Sequence, residues 1–311
     1  MPKPTPEKEE VRVQVDGRTL TISNLHKVLY PRTGFTKGEV LNYYAQVSPV
    51  LLPLLKDRCV TRIRWPHGVQ ESSFFEKNTP AGTPSWVRTA KVPTTGSRAQ
   101  SSSARSSGDT LTFPIVDDLA TLTWLANLAA LELHVHQWTV GRNGRPRNAD
   151  RLVIDLDPGE PAGLHECCQV ALLVRAKLAE RGLAARPVTS GSKGLHLYAD
   201  LPKRLPSDES TALAKEVAEE LQGEHSKLVT ATMTKARRGG KVFLDWSQNA
   251  GSKTTISPYS LRGRERPAVA TPVTWAEVEE GADDPLGLEQ FTPEQVLARV
   301  AEHGDLFTAA E

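Results

Sequence analysis

Two aspartates, two residues apart, are the residues whose type and spacing most directly predict chemistry in this sequence. Asp155 and Asp157 follow an apolar run at 152–154, and Pro158 and Gly159 come immediately after them. If the run is a strand, the two carboxylates share one face at roughly 7 Å. That separation suits two divalent metal ions, which lie about 4 Å apart in two-metal sites. Pro-Gly ends the strand and leaves the pair near an open rim.

A metal site is one of several interpretations of the Asp-x-Asp pattern. The pair alone also fits a turn, where aspartate is common, and the pattern occurs in glycosyltransferases and acid phosphatases. No basic residue stands between positions 152 and 159 to neutralise the two charges, and a cation is the natural partner of such a pair. Asp245 ends a second apolar strand pattern at 242–244, and this third carboxylate favours the metal site.

A polar, glycine-rich segment at 189–194 predicts an anion-binding turn. Its glycines let backbone N–H groups face a bound anion, and the hydroxyl of Ser190 and the ammonium of Lys193 add donors and charge. The segment lacks the Walker pattern of phosphate-binding loops and leads into a strand pattern at 195–198 that contains His196. The alternative interpretation is an ordinary polar hairpin turn.

Two further motifs have both a functional and a structural interpretation. Glu132, His134 and His136 fall on one face of a predicted strand. His-x-His is a common metal-ligand spacing; the alternatives are histidines beside the core or, near a triphosphate, a donor to phosphate or sugar oxygens. Phe74 and Phe75 offer aromatic faces for base stacking, although adjacent phenylalanines are more often core residues.

The elements that must position these residues alternate irregularly between strand and helix patterns. Strand patterns fall at 11–15, 18–23, 62–65, 133–136, 195–198 and 242–244, with a hairpin turn at Asp16 and Gly17. One helix pattern starts at a capping box of Thr36 and Glu39, and others fall at 117–132, 166–181, 210–221 and 293–303. Because strands and helices do not alternate strictly, we predict an α+β fold with mixed or antiparallel sheets and flanking helices.

Composition and charge narrow the class of protein. The 311 residues are 39% hydrophobic and 24% charged, as in ordinary soluble globular proteins, and the net charge is +1. No apolar run reaches the roughly 18 residues of a membrane span, and no signal-peptide core is present. We therefore expect a cytoplasmic protein that does not associate with a membrane. The three cysteines lack zinc-site spacing and are expected to be reduced.

The chain is predicted to form one domain, at 11–311. A tail at 1–10, rich in Pro, Lys and Glu, is predicted to be disordered, and a Ser/Arg-rich segment at 94–109 is predicted to be a mobile loop. Basic residues gather at 234–241 and 262–266. A charge run is usually solvated surface, although a nucleic-acid-binding protein requires a basic patch of this kind.

Together these motifs resemble the polymerase domain of bacterial ligase D and its stand-alone relatives, which belong to the archaeo-eukaryotic primase superfamily. The resemblance runs from about residue 20 to 305 and rests on ordered stretches at 27–31, 74–77, 131–135, 153–159, 189–196, 232–235, 242–249 and 258–264. It implies a primase-polymerase catalytic core as the fold of residues 11–311. The implied activity is that of a nucleotidyltransferase, a DNA-dependent polymerase.

For the active site, the resemblance implies two-metal-ion catalysis with NTP or dNTP substrates and a preference for ribonucleotides. Asp155, Asp157 and Asp245 would hold two Mn²⁺ or Mg²⁺ ions, one for the primer 3′-hydroxyl and one for the triphosphate. Phe75 would stack on the base. The other residues implied to bind the nucleotide are His134, Ser190, Lys193, His196, Arg238, Gln248 and Arg262. Those implied to bind a DNA 5′-phosphate are Lys27, Lys37 and Arg64.

The implied role is to fill short gaps and extend ends during DNA repair. The sequence contains no Lys-x-Asp-Gly ligase motif, so we expect that the chain does not seal nicks itself. It is expected to be either a stand-alone polymerase or a domain of a larger ligase. Expected partners are gapped or broken DNA with a 5′-phosphate, nucleoside triphosphates, Ku and a DNA ligase, at the bacterial nucleoid. Non-homologous end joining and base excision repair both stay open, as do two other classes: a glycosyltransferase and a non-catalytic DNA-end binding module.

Overall fold

A computed structural model describes residues 9–93 and 110–308 of the chain. Most of the predicted tail at 1–10 and the whole Ser/Arg-rich segment at 94–109 lie outside the described residues. Glu10, the last residue of the predicted tail, already belongs to the first strand. No helix in the described ranges combines the length and the hydropathy needed to cross a membrane.

The helices of the described residues, numbered in chain order, are α1 (Lys37–Leu55), α2 (Leu119–Asn127), α3 (Leu164–Ala179), α4 (Ser207–Glu224), α5 (Trp275–Asp283) and α6 (Pro293–His303). Two 3₁₀ helices span Lys235–Arg237 and Trp246–Asn249. Helix α1 begins at the predicted capping box. The hydroxyl of Thr36 accepts a hydrogen bond from the backbone N of Glu39, and the Glu39 carboxylate accepts one from the backbone N of Thr36.

The strands of the same residues are β1 (Glu10–Val15), β2 (Arg18–Ser23), β3 (Val28–Tyr30), β4 (Phe35–Thr36), β5 (Val60–Arg64), β6 (Phe74–Glu76), β7 (Thr89–Pro93), β8 (Thr110–Pro114), β9 (Ala130–Val135), β10 (Trp138–Val140), β11 (Pro146–Pro158), β12 (Ala185–Thr189), β13 (Leu195–Leu205), β14 (Val229–Thr230), β15 (Val242–Asp245), β16 (Thr255–Ile256), β17 (Leu261–Arg262), β18 (Ala268–Val269) and β19 (Thr271–Pro272). The turn between β1 and β2 has φ values of 48° at Asp16 and 72° at Gly17, as expected for an Asp-Gly hairpin.

Two sheets carry the architecture. The larger has seven strands in the order β14-β15-β11-β13-β12-β19, with β10 also paired to β11. Its pairings are antiparallel except for the parallel pair β14–β15. The smaller sheet has four antiparallel strands in the order β16-β9-β5-β6. The mixed and antiparallel sheets with flanking helices confirm the predicted α+β fold.

The central strand β11 separates two hydrophobic cores. Leu152 and Ile154 pack in the core that includes α3, α4 and α5. Val153 packs in the core that includes α1 and the smaller sheet. Because side chains alternate along a strand, Asp155 and Asp157 fall on the same face as Val153, toward the smaller sheet. The paired aspartates thus lie on the face that the α3–α5 helices leave free.

The predicted helix at 117–132 is too long. Helix α2 ends at Asn127, and the chain turns at Ala129, which has a φ of 58°, before β9 begins at Ala130. Strand β9 is buried almost throughout, so its apolar residues form a run that periodicity cannot separate from a Leu- and Ala-rich helix. Glu132 lies within this strand, on the same face as His134.

Candidate active site

The register of the larger sheet places three of the predicted site residues in one row. Asp155 on β11 stands opposite His196 on β13 and opposite Asp245 on β15. Directly opposed residues of antiparallel strands have Cβ atoms about 5 Å apart. Asp157 lies two residues farther along β11, near the end of the strand. Positions far apart in the sequence thereby form one polar patch.

Two of the three carboxylates are held by polar partners within this patch. Nε2 of His196 lies 3.3 Å from Oδ1 of Asp155. The backbone N and Oγ of Ser247 donate to Oδ1 of Asp245, at 3.0 and 2.6 Å, and Nε2 of Gln248 donates to Oδ2 at 2.8 Å. Asp245 is the last residue of β15 and the N-cap of the 3₁₀ helix that supplies these donors. The end of the strand and the start of the helix therefore fix its orientation together.

Asp157 is the most exposed of the three, with 54% of its side chain exposed against 24% for Asp155. Nη1 of Arg238 lies 3.5 Å from its Oδ2. Partial burial and the charges of Asp155 and Asp245 raise the pKa of Asp157 above its ordinary value, and Arg238 and Lys193 oppose the shift. The counter-charge that the local sequence lacks is therefore supplied by the fold, from position 238.

The three aspartates form a donor set that fits a hard divalent cation. Carboxylate oxygens are preferred ligands of Mg²⁺ and Mn²⁺, and the repulsion that raises the pKa of Asp157 favours a cation between them. Within residues 9–93 and 110–308, no three His, Cys, Asp or Glu side chains are grouped closely enough to hold a metal ion as they stand. Ser247, Gln248 and Arg238 hold the carboxylates instead, so these would have to turn to share a cation.

The predicted anion-binding turn at 189–194 connects β12 to β13. Oγ of Ser190 accepts hydrogen bonds from the backbone N of Ser192 and of Gly194, at 3.2 and 3.1 Å. Two of the N–H groups expected to face an anion are therefore used inside the turn, and Ser190 organises it. Lys193 is exposed at the tip, 3.0 Å from Glu160. Lys193 is therefore the residue of this turn that offers a charge to solvent.

A buried carboxylate joins two of the residues predicted to bind the nucleotide. Glu132 is 4% exposed, and its Oε2 lies 2.8 Å from Nε2 of His134. Its Oε1 accepts a hydrogen bond from the backbone N of Gly263 at 3.0 Å and lies 3.5 Å from Nε of Arg262. Burial alone would raise the pKa of Glu132, but the hydrogen bond from His134 and the charge of Arg262 lower it to about 2. The carboxylate is therefore ionised at neutral pH.

The structure assigns different environments to His136 and to the phenylalanine pair Phe74 and Phe75. His136 is buried, with its ring centroid 4.2 Å from that of Trp138 and 5.4 Å from that of Phe113, so it is a core histidine. Phe74 and Phe75 are half exposed, at 49% and 50%, on the edge strand β6. Neither phenylalanine is a core residue, and each has a face that a base could reach.

The three residues predicted to bind a DNA 5′-phosphate lie on two parts of the fold. Lys27 and Lys37 flank the β3–β4 hairpin, where the backbone N of Lys37 donates to the O of Lys27 at 2.8 Å. The side chain of Lys37 is buried, and its Nζ donates to O of Ser23 at 2.5 Å. Arg64, on β5, donates from Nη1 to Glu76 at 2.8 Å. The hairpin brings the backbones of the two lysines together, whereas Arg64 is held in an ion pair on the smaller sheet.

A family model described as the primase-polymerase domain of LigD matches residues 36–307. The chain belongs to the LigD primase-polymerase family. The multifunctional non-homologous end joining protein LigD of Mycobacterium bovis is 49% identical over 92% of this chain, and the bifunctional LigD of Bacillus subtilis is 33% identical over 92%. The chain spans only 36% and 43% of the length of these two relatives.

A solved structure supports the same family at the level of the fold. The polymerase domain of Mycobacterium tuberculosis ligase D, in complex with DNA, is 47% identical, with a TM-score of 0.84 over 93% of this chain and 96% of that one. Membership of the LigD primase-polymerase family makes the chain a polymerase, that is, a nucleotidyltransferase. Family membership favours the polymerase over both the glycosyltransferase and the non-catalytic binding module.

Three residues of the candidate site have a role that the sequence did not reveal. Ser247 orients Asp245, and the Asp-x-Ser spacing of a helix N-cap was the available signal. Glu132 was placed on the correct strand face, but its contacts depend on a partner 130 positions away in the chain. Asn249 adds a third link, since its side chain bonds both the N and the O of Val153 on β11, at 2.9 and 2.7 Å.

Proposed function

We propose that this LigD-family chain is a DNA-directed polymerase that fills short gaps and extends ends during bacterial DNA repair. The observation that carries the proposal is the row of His196, Asp155 and Asp245 across three paired strands, with Asp157 beside it. Three carboxylates near the ends of the neighbouring strands β11 and β15, next to a turn that carries Lys193, suit a substrate that is polyanionic and bound with cations.

The aspartates would hold two divalent ions, Mn²⁺ in preference to Mg²⁺. When bound there, the ions supply charge neutralisation at the triphosphate and lower the pKa of the primer 3′-hydroxyl. The chain's own residues fix the ligands: Ser247 and Gln248 orient Asp245, and Arg238 restrains Asp157. Arg238 is itself held by its Nη2, which donates to O of Met233, and by the ring of Phe243 beneath it.

The incoming nucleotide would lie between the aspartate row, formed by Asp155 and Asp245, and the cluster that Glu132 forms with His134 and Arg262. His134, Ser190, Lys193, His196, Arg238, Gln248 and Arg262 would contact its triphosphate or sugar. We propose a preference for ribonucleotides, as the family resemblance implies, with the contacts to the sugar as its basis. Phe75 would provide the stacking face for the base, since it is half exposed on an edge strand.

Replacing Phe75 with alanine is expected to raise the KM for the nucleotide roughly 10-fold, because stacking of a base on an aromatic ring contributes about 1–3 kcal/mol. Phe74→Ala is the matched control: Phe74 is equally exposed on the same short strand but points to the other face. Steady-state extension at varied nucleotide concentration measures both. Equal effects of the two substitutions would contradict a specific stacking role for Phe75.

The decisive test of the function is extension of a primer across a short gap in the presence of Mn²⁺ and either rNTPs or dNTPs. We expect incorporation to be faster on gaps with a 5′-phosphate than on gaps with a 5′-hydroxyl, and Lys27→Ala to reduce that difference several-fold, because the ammonium of this partly exposed lysine at the hairpin would pair with the phosphate. Lys56→Ala, at an exposed lysine after α1, should leave it unchanged. If the wild-type chain extended the primer neither on gaps with a 5′-phosphate nor on gaps with a 5′-hydroxyl, the proposed function would be refuted.

The names of the relatives describe non-homologous end joining, and this supports end joining as the proposed pathway. The related domain was solved in complex with DNA, and we propose DNA ends and gaps as the substrate of this chain as well. Ku, which would recruit it to broken ends, and a DNA ligase, which would seal its product, are the proposed partners at the bacterial nucleoid. We propose residues 11–311 as one catalytic domain.

A further inference from the structure

Glu132 is a buried carboxylate beside the proposed nucleotide site, and it is not one of the residues proposed to contact the nucleotide. It lies between His134, on its own strand, and the Arg262–Gly263 pair at the end of β17. A buried carboxylate is unfavourable unless donors surround it. Here one side chain N–H, one backbone N–H and one guanidinium meet its two oxygens, so the charge has a fixed set of partners.

His134 and Arg262 each face Glu132 with one nitrogen and keep their other nitrogens unused. Within the described part of the chain, Nδ1 of His134 makes no hydrogen bond, and neither does the guanidinium of Arg262, whose Nε is buried against the carboxylate. The two ring nitrogens of an imidazole diverge, and the terminal nitrogens of a guanidinium lie beyond Nε. Nδ1 of His134 and at least one terminal nitrogen of Arg262 are therefore directed away from Glu132.

Arg262 also connects Glu132 to the turn at 189–194. A Cβ placed on Gly191 would lie 2.6 Å from Cγ of Arg262, and Gly191 has a φ of 65°, so the turn and the stem of the arginine touch directly. Tyr30 fixes the other side, because its hydroxyl donates to O of Arg262 at 2.9 Å. Glu132, Arg262 and the turn that carries Ser190 therefore form one connected unit.

We propose that Glu132 is a positioning residue for the triphosphate of the incoming nucleotide. It holds the imidazole of His134 at Nε2 and the guanidinium of Arg262 at Nε. The terminal nitrogens of Arg262 then donate to the phosphate oxygens, and Nδ1 of His134 donates to them in the protonated imidazole. The fixed fork of the arginine costs little further ordering when the nucleotide binds. The inference rests on the proposed function, in which His134 and Arg262 contact the triphosphate.

Glu132→Gln is the main test, because it keeps the size of the side chain and removes its charge. The amide can accept a hydrogen bond on one side only, and its NH₂ group opposes a donor on the other. We expect the nucleotide KM in primer extension to rise about 10-fold to 100-fold, with a much smaller change in kcat and unchanged DNA affinity. An unchanged nucleotide KM would overturn the proposal.

Glu277→Gln is the matched control for loss of a semi-buried, paired carboxylate. Glu277 accepts hydrogen bonds from Arg299 at 2.6 and 2.8 Å and takes part in the cap of α5, away from the aspartate row. This substitution is expected to lower the melting temperature and to leave the nucleotide KM unchanged. A similar rise in KM for both variants would reduce the role of Glu132 to general stability and overturn the inference.

A double-mutant comparison separates positioning from bulk stability. In a His134→Gln, Arg262→Lys background, Glu132→Gln should add little to the nucleotide KM, since the residues through which it acts are already altered. A full additive rise would overturn the proposal. If Glu132→Gln does not fold, Glu132→Asp, which keeps the charge but is shorter, takes its place with the same criteria. A wild type without DNA extension would refute the proposed function itself, whereas an active wild type with an unaffected variant would refute only the role of Glu132.

Discussion

Asp155→Asn is expected to reduce primer extension on the order of 1000-fold while the protein stays folded. Asp155 stands at the centre of the row, opposite both His196 and Asp245, so it is the carboxylate that any shared cation would have to meet. Asparagine keeps the shape and an acceptor oxygen for His196 but removes the negative charge. Primer extension at saturating nucleotide and Mn²⁺, together with thermal unfolding, measures the two effects.

The melting temperature of Asp155→Asn should stay the same or rise, because one of three like charges has been removed. Asp150→Asn provides the control, since Asp150 lies on the same strand and pairs with Arg58 at 2.9 Å and Arg204 at 3.4 Å. That substitution should cost stability and keep activity. Near wild-type extension by Asp155→Asn would show that the aspartate row is not the catalytic centre.

Gly194→Ala is expected to destabilise the protein by about 3 kcal/mol or more. A Cβ at this position would lie 1.9 Å from O of Leu156, where unbonded carbon and oxygen atoms keep roughly 3 Å or more. The clash is with backbone, which cannot rotate away as a side chain can. Leu156 stands between Asp155 and Asp157, so relief of the clash would displace the strand that carries both aspartates, and activity should fall with stability.

Denaturant unfolding measures the stability change of Gly194→Ala, with Gly223→Ala as its counterpart. Gly223 lies in helix α4, and nothing within 4 Å would meet a Cβ there. Alanine is the better helix former, so this variant should gain up to about 1 kcal/mol. If Gly194→Ala unfolded at the same denaturant concentration as the wild type, the close approach of β13 to β11 would be contradicted.

The parts of the fold that the sequence predicts correctly are those that local chemistry determines. The hairpin at Asp16 and Gly17 needs two residues that tolerate positive φ, and the start of α1 needs only Thr36 and Glu39. The boundary between α2 and β9 was wrong, because burial of the strand on both faces removes its period. The order of strands in the larger sheet depends on pairing between distant segments, and no local pattern encodes it.

The candidate site likewise has parts that the sequence predicted and parts that depend on contacts between distant segments. The strand period and the residue types were sufficient to nominate Asp155, Asp157 and Asp245. That Asp155 faces Asp245 directly follows from sheet register alone. The counter-charge from Arg238 and the clustering of Glu132 with Arg262 are likewise contacts between distant segments, and sequence spacing carries no information about them. Their roles in binding remain predictions for the variants above.

The row of His196, Asp155 and Asp245 has a consequence for how such chains can diverge. Cross-strand register, and not spacing along the chain, sets the distance between these side chains. Insertions or deletions in the connections between β11, β13 and β15 leave the row intact, whereas a one-residue slip within any of the three strands would turn a side chain to the opposite face. Homologues should therefore tolerate wide variation in loop length between these strands and almost none in strand length around the aspartates.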